Sequence, residues 1–570
     1  MKKYITIISM LAAGFAFADN ENYDGLDISE IDFRGGSFVP SLKNSSWVGA
    51  TAIEINFSQS ILTNANFTNA NLSGSYFLIT TVTNAIFTNA NLSKAWFQKT
   101  KGLTDAQLRS ASNITGIKLD DLDLSSFNFS GLDFSGGNFY KTTISNVNFT
   151  NAVLDGVIFH DSAGLSDKQI RSAKSLIGIR YNNIDISEFN FSLLNISTSD
   201  FVDCISLNSD FTGSNLASVS VASSSFNDSN FIGANLTSAN IYSSNFAGSN
   251  FSKADLTNAR LKKCSLVNTN LTNANLTGAT FTAETDISGA TINGADLTST
   301  VENGFTFAHL ESTKSYADKN LSGVIFDYND IGAWNLSGLN LQNTSFFASK
   351  IAGTNFSNSD LRGADISVTK GTATYKNTIM SDGVIKNFSM ASADESLSIR
   401  KYTPAEGGEN ISAKIAEDAK ISNGAKLTLE QGAFFEVANG KTLSVASDGK
   451  ILINTDLGGS TIFNVNSSSG LVFEDGSTLT VNIVDDIMTS DAYTFAVISF
   501  EDDSRIAGLN NFVKDETLFL TVKGKKFNGA WNYAVKGNDL SISINVPEPA
   551  TYAAIFGALA LAFAAYRRRK

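Results

Sequence analysis

The sequence predicts an all-β chain: a four-sided β-helix interrupted by short helical inserts, then a second β-rich domain. Three observations predict it. From 211 to 281 every fifth residue is large and apolar, running Phe211, Leu216, Val221, Phe226, Phe231 and Leu236 through to Leu276 and Phe281. Like residues also recur at twenty, as in Phe191, Phe211, Phe231 and Phe251, or Leu216, Leu236, Leu256 and Leu276. Finally, no proline occurs between Pro40 and Pro404, and a continuous backbone ladder excludes proline because it has no N–H to donate.

Helices repeat at 3.6 residues and strands at 2, so a period of five means that the chain turns once per repeat. The period of twenty then closes four repeats into one coil, with like side chains stacked inside at the strand spacing of about 4.8 Å. Two places before each large residue sits a small one, such as Ser209, Ser214, Ala234 and Ala254, with Val219 the one bulky exception. The other positions are mostly Asn, Asp, Ser, Thr and Gly. A single repeat has no core of its own, so stability must come from stacking. Cys204 and Cys264 both occupy the small slot, three coils apart, which separates them by about 14 Å. A disulfide needs roughly 7 Å or less, so both are expected to be buried and unpaired.

Ala234-Asn235-Leu236, Ala254-Asp255-Leu256 and Ala274-Asn275-Leu276 resemble the pentapeptide-repeat family, whose motif is A-[DN]-L-x-x. The resemblance covers roughly residues 26–100, 117–160, 181–300 and 321–367. It implies a right-handed quadrilateral β-helix, with Phe211, Leu216, Phe231, Leu236, Phe251, Leu256 and Leu276 in its core.

Taken in chain order, residues 1–18 read as a secretory signal. Lys2 and Lys3 precede an apolar run from Ile5 to Phe15, and Ala16-Phe17-Ala18 supplies a cleavage pattern before Asp19. Signal peptidase is therefore an expected partner. Repeat blocks are expected over 19–101, 117–163 and 179–308, with a fourth block and its cap over 309–385. Helical inserts are expected over 102–116 and 164–178, where Thr104 with Gln107 and Ser166 with Gln169 have capping-box spacing. They read as hinges that join and cap separate blocks, and His309 to Gly323 reads as a degenerate relative of them. Residues 386–545 carry short strand-like runs at 426–429, 434–437, 442–445 and 451–454, separated by glycines. Asn423-Gly424 and Asn439-Gly440 would suit hairpins of a sandwich. A second β-solenoid is the preferred reading, because the segment resembles the passenger stalks of autotransporters.

Residues 546–570 hold Pro547-Glu548-Pro549, an apolar run from Tyr552 to Tyr566, and Arg567-Arg568-Arg569-Lys570. A fifteen-residue helix reaches about 22 Å, short of the roughly 30 Å hydrocarbon core, while the basic end would stay cytoplasmic. This order resembles the PEP-CTERM sorting signal of Gram-negative bacteria. The resemblance implies transient membrane attachment, cleavage near Pro547–Pro549 by an exosortase-type enzyme, and delivery to the envelope, outer surface or extracellular matrix.

Composition narrows the function. A net charge of −13 opposes nucleic-acid binding, which needs clustered Lys and Arg. Two Cys and two His leave little for metal chemistry, and no cofactor motif is present. His160 and His309 stand alone and read as surface or turn residues. Asp120-Asp121, Asp485-Asp486 and Asp502-Asp503 read as exposed turn aspartates, with Asp120-Asp121 the first pair to test for calcium. A non-catalytic structural or adhesive surface protein, associated with exopolysaccharide or other surface proteins, is the reading that follows. One alternative is a polysaccharide-acting β-helix enzyme. Another is a DNA mimic that binds topoisomerases, but the run 181–281 has only seven acids opposed by four cations.

Overall fold

The computed structural model describes residues 19–29, 41–456, 461–466, 469–474, 477–484, 492–500, 505–507, 518–522, 525–526, 530–536 and 539–545. They fall into two compact units, residues 1–292 with 303–314, and residues 293–302 with 315–570.

The first unit is a four-sided β-helix. One side is an eleven-stranded parallel sheet in sequence order, from Tyr76–Leu78 and Trp96–Gln98 to Arg260–Lys262 and Thr280–Phe281. The other sides carry single parallel bridges at the same step, such as Asp210↔Asn230, Asn215↔Asn235 and Ser225↔Asn245. Each position of the repeat has a physical task. The large residue points inward, and the Phe211 N–H donates to Asn230 O at 2.7 Å in the next coil. The preceding Asn or Asp closes a side-chain turn, as when Asn66 Oδ1 accepts the Thr68 N–H at 3.0 Å. The residue two places after the large one takes a positive φ and makes the corner, as at Asn69, Asn89, Ser218 and Ser238. Asn tolerates that left-handed conformation better than most residues.

Inside, the rings stack at close to the coil rise. Phe211 and Phe231 lie 4.8 Å apart with planes 2° from parallel, and Phe231 and Phe251 lie 4.6 Å apart at 2°. The small slot also bonds: Ser209 Oγ donates to Ile186 O at 2.8 Å, and Ser229 Oγ accepts the Ser209 N–H at 3.1 Å. Cys204 and Cys264 are buried and unpaired, and the Cys204 thiol donates to Tyr181 O at 3.2 Å in the manner of those serines.

Helix α1 (Asp105–Ser110) and helix α2 (Asp167–Ser172) fall within the expected inserts. Thr104 and Gln107 form a capping box, and the Ser166 side chain accepts the Gln169 N–H. Neither helix is a hinge between blocks, which corrects the expectation. The sheet runs through both, with Trp96 paired to Lys118 and Ile158 to Arg180. Each helix replaces one side of one coil and adds two residues to that coil, which the ladder absorbs. Gly102 opens the first insert at φ +74°, where a Cβ would lie 2.3 Å from the Thr83 hydroxyl. Gly164 meets Ser145 in the same way at 2.1 Å. A third helix, α3 (Phe307–Ser312), repeats the device with Thr306 and His309 as its capping box.

In the second unit, repeats again stack, with Phe326 and Phe346 at 5.6 Å and 9°. From Ser396 a three-sided parallel β-helix follows. One side contains Ser396–Ile399, Lys426–Leu429 and Lys450–Thr455, another Phe434–Val437 and Ile462–Val465, the third Thr442–Val445 and Gly470–Phe473. The pairing is parallel, so the sandwich alternative does not hold. Gly424 and Gly440, at φ +79° and +72°, turn corners between sides instead of closing hairpins. Strand Ala492–Phe500 pairs antiparallel with Asp539–Asn545, which pairs antiparallel with Ala530–Lys536.

Within this unit, segment 400–411 is held on the repeats by hydrogen bonds from Gln342 and Asn343 and by a buried ion pair. Arg362 donates to both oxygens of Asp360 at 3.0 and 2.7 Å, with both side chains excluded from water. Its other N–H groups donate to Ile411 O and Arg400 O at 3.1 and 2.6 Å. Leaving a charge buried without its partner typically costs about 3–5 kcal/mol, so Arg362→Met should lose stability on that scale in denaturant titrations. Phe231→Ala empties the middle of a ring column and should cost about 3–5 kcal/mol. A loss under about 1 kcal/mol would show that the ring column does not hold the coils together.

Candidate functional site

The outward surface of the eleven-stranded sheet gathers the residues best suited to contact another molecule. Outward positions one place before the inward residue form a column along the coils: Tyr76, Trp96, Lys118, Asn138 and Ile158. Beside it runs the column of left-handed corners, in coil order Gly74, Lys94, Gly116 and Gly136. Glycine satisfies the positive φ without a side chain; the Glu54 and Lys94 stems pack over Gly74 and Gly116, 3.0 and 3.1 Å from where a Cβ would lie, and a trough is left open at Gly136. A Cβ at Gly136 would meet nothing within 4 Å. The trough and its walls enclose an open groove of about 480 Å³ that includes Glu54, Tyr76, Lys94, Trp96 and Lys118.

Tyr76 and Trp96 sit 6.2 Å apart with ring planes tilted by 54°. The Lys118 ammonium lies 5.1 Å from the Trp96 ring, within cation–π range. Asn138 Oδ1, beside Lys118, is buried without a hydrogen-bond partner. The buried Trp96 indole N–H faces the Asp120 carboxyl and favours its charged form.

Asp120 and Asp121 do not form the exposed pair that their adjacency suggests. Asp120 is buried on strand Lys118–Asp120 and accepts the Tyr140 N–H at 3.3 Å. Asp121 makes a corner at positive φ and accepts from Gln98 Nε2 at 2.9 Å. Burial pushes the Asp120 carboxyl above the usual range, and the Tyr140 N–H only partly offsets this. Among the described residues no cluster of three or more His, Cys, Asp or Glu is placed to hold a metal.

His309 also departs from expectation. It is buried as the third residue of α3. Its Nδ1 accepts the Thr306 N–H at 3.0 Å, and its Nε2 faces Thr282 O at 3.2 Å. Gln107 does the same work in α1, accepting from Thr104 N at 2.7 Å and donating to Val82 O and Ala85 O at 2.9 Å. His160 packs edge-on against Tyr140 on the outer face of the sheet, with centroids 4.8 Å apart.

Of the sorting residues, Asp19 is exposed and accepts the Lys43 N–H at 3.1 Å. Ala16, Ala18, Pro547, Glu548, Pro549 and Arg567 to Arg569 lie outside the described residues, as do Asp485-Asp486 and Asp502-Asp503. Among the described residues no helix is long and apolar enough to cross a membrane. Phe211, Leu216, Phe231, Leu236, Phe251, Leu256 and Leu276 are all buried. Burial raises the Cys204 and Cys264 thiols to about 11, which leaves them unreactive near neutrality. Sequence reasoning missed Tyr76, Trp96, Lys94 and Lys118. Their signal was an aromatic pair twenty residues apart at an outward position.

The pentapeptide-repeat family profile matches eight copies in this chain, over residues 48–77, 123–161, 214–252, 249–283, 264–301 and 335–367. Among solved structures, a pentapeptide repeat protein from the thylakoid lumen of Arabidopsis thaliana is similar at 31% identity over 21% of this chain and 68% of its own, with a TM-score of 0.15. HetL, a pentapeptide repeat protein involved in heterocyst differentiation regulation in Nostoc sp. strain PCC 7120, is similar at 19% identity over 48% of this chain and 91% of its own, with a TM-score of 0.14. QnrB1, a plasmid-mediated fluoroquinolone resistance protein, is similar at 19% identity over 40% of this chain and 90% of its own, with a TM-score of 0.17. No curated protein matches.

A raised carboxyl pKa in the folded state means that the native protein holds its proton more tightly than the unfolded chain does. Stability from this group therefore falls as pH rises from the unfolded pKa through the folded one. Asp120→Asn removes that penalty, so it should melt above the parent protein at pH 7. The gap should close as the pH is lowered past the carboxylate range. An unchanged gap across the titration would show that the Asp120 charge is not the cause.

Proposed function

Starting from a chain with the pentapeptide-repeat fold, we propose that it is an exported, non-catalytic protein of the cell surface or extracellular matrix, structural or adhesive in role and associated with exopolysaccharide. The observation that carries this reading is the outward surface itself. The backbone of the repeats is spent on bonds between coils, and what faces outward is columns of hydroxyl, amide and carboxylate groups, with aromatic and ammonium side chains at Tyr76, Trp96 and Lys118. Such columns suit many weak contacts with a repetitive partner, which sum along a length of surface. The charge-bearing start, apolar run and Ala16–Ala18 pattern at one end support export through signal peptidase. Pro547-Glu548-Pro549, the apolar run and Arg567 to Arg569 at the other support handling by an exosortase-type sorting enzyme, with the membrane as a transient anchor.

The test is removal of residues 546–570 from the chain in its native host, followed by surface labelling and fractionation. The expected result is release into the medium or retention inside the cell. Unchanged surface display of the truncated chain overturns the sorting part of the reading.

A further inference from the structure

We propose that the groove on the outer sheet face is a built binding site for an acidic polysaccharide, which lies along the coils with sugar rings against Tyr76 and Trp96 and carboxylates against Lys94 and Lys118. The inference deepens the surface-polysaccharide reading by naming where the polymer binds and what chemistry it carries.

Four features point to this occupant. First, the strands under the groove are paired on both sides, Trp96–Gln98 with Tyr76–Leu78 and with Lys118–Asp120. A peptide therefore has no strand edge here to extend, and recognition must use side chains. Second, Tyr76 and Trp96 offer ring faces and edges at the wall of the groove. A sugar ring presents apolar C–H faces rimmed by hydroxyls, which matches an apolar ring with a polar handle. Third, Asn138 Oδ1 is a buried acceptor without a hydrogen-bond partner, next to Lys118 in the same column. A hydroxyl can donate to such an acceptor, so a sugar hydroxyl placed beside Lys118 can serve it. Fourth, in a chain of net charge −13, this groove holds two ammonium groups against the single carboxylate of Glu54. Lys118 rests on the Trp96 ring and feels the Asp120 carboxyl without touching it, and a carboxylate in direct contact is a stronger partner. The geometry also matches in length, because the coil rise of about 4.8 Å is close to the advance of one residue in an extended sugar chain.

The experiment is calorimetric titration of the full chain with oligogalacturonate, with a neutral cello-oligosaccharide and polyglutamate as comparison probes. Oligogalacturonate should bind, weakening as salt rises. Trp96→Ala and the double variant Lys94→Gln with Lys118→Gln should each weaken it roughly tenfold. Gly136→Asn provides a third arm: Asn is common at the left-handed corners of this chain, so the fold should persist while a side chain enters the trough and blocks it. Unchanged thermal melting of these outward variants separates loss of binding from loss of fold. The proposal fails if oligogalacturonate does not bind, if the three variants bind it as the parent does, or if cello-oligosaccharide or polyglutamate binds equally well. Because Trp96→Ala leaves both termini intact, its surface display should be normal. A failure of the groove is thus distinguishable from a failure of sorting.

Discussion

Every other feature of the repeats follows from one constraint: one residue in five must adopt a left-handed corner. For residues other than glycine that conformation costs roughly 1–2 kcal/mol, and it recurs throughout both sets of repeats. The cost is tolerable only because each corner returns the chain to a ladder in which its N–H and C=O meet the next coil. Asn89, for example, holds a positive φ while its N–H donates to Ser110 O at 2.8 Å. Asn, Asp and Gly are frequent for this reason, and the large inward residue is free to be Phe, Leu, Ile or Val. Since coils stack at the strand spacing, identical rings lie nearly parallel above one another, as in the Phe191, Phe211, Phe231 and Phe251 column.

The same ladder explains how helices enter without breaking the solid. An insert has to leave one side of a coil and return in register, and its cut ends expose carbonyls of the coil beneath. Gln107 answers both needs, capping α1 with its amide oxygen while its amide nitrogen bonds Val82 O and Ala85 O. Gln169 bonds Ile144 O and Val147 O in the second insert at 2.7 and 3.1 Å. In the third, a histidine ring takes the position, an acceptor at Nδ1 and a neighbour of Thr282 O at Nε2. Histidine can stand for glutamine here because its two nitrogens also offer one acceptor and one donor in the neutral ring.

Much of this was legible from residues alone, because burial imposes a period. The inward positions, the small slot and the strands at 426–429, 434–437 and 442–445 were readable from spacing. So were the two helical inserts, where Thr or Ser and Gln stand three apart. What was not legible depends on pairing between distant coils. An Asn-Gly pair has the same local chemistry at a hairpin and at a solenoid corner, and only the parallel partner of Lys426–Leu429, which is Lys450–Thr455, decides between them. Likewise a net insertion of two residues looks like a break in sequence, whereas Trp96 opposite Lys118 shows that the ladder closes over it. Asp120 and Asp121 read as a pair because they are adjacent, yet one faces a strand and the other makes a corner.

The groove was invisible for the opposite reason. Outward positions carry no burial requirement, so Tyr, Trp or Lys can replace the usual Asn or Asp there, and Tyr76, Trp96, Lys118 and Asn138 become a column only once the coil length is known to change from twenty to twenty-two residues between Trp96 and Lys118. In a fold whose backbone is committed to stacking, such columns are where one such β-helix can differ in recognition from another. Inward substitutions disturb every neighbouring coil, while an outward one changes a single rung. Corner glycines extend this freedom: Gly74 and Gly116 let the Glu54 and Lys94 stems lie close over the backbone, and Gly136 leaves open space beside the aromatic rungs. The residue that the turn demands for conformational reasons therefore also shapes the surface on which a ligand would lie.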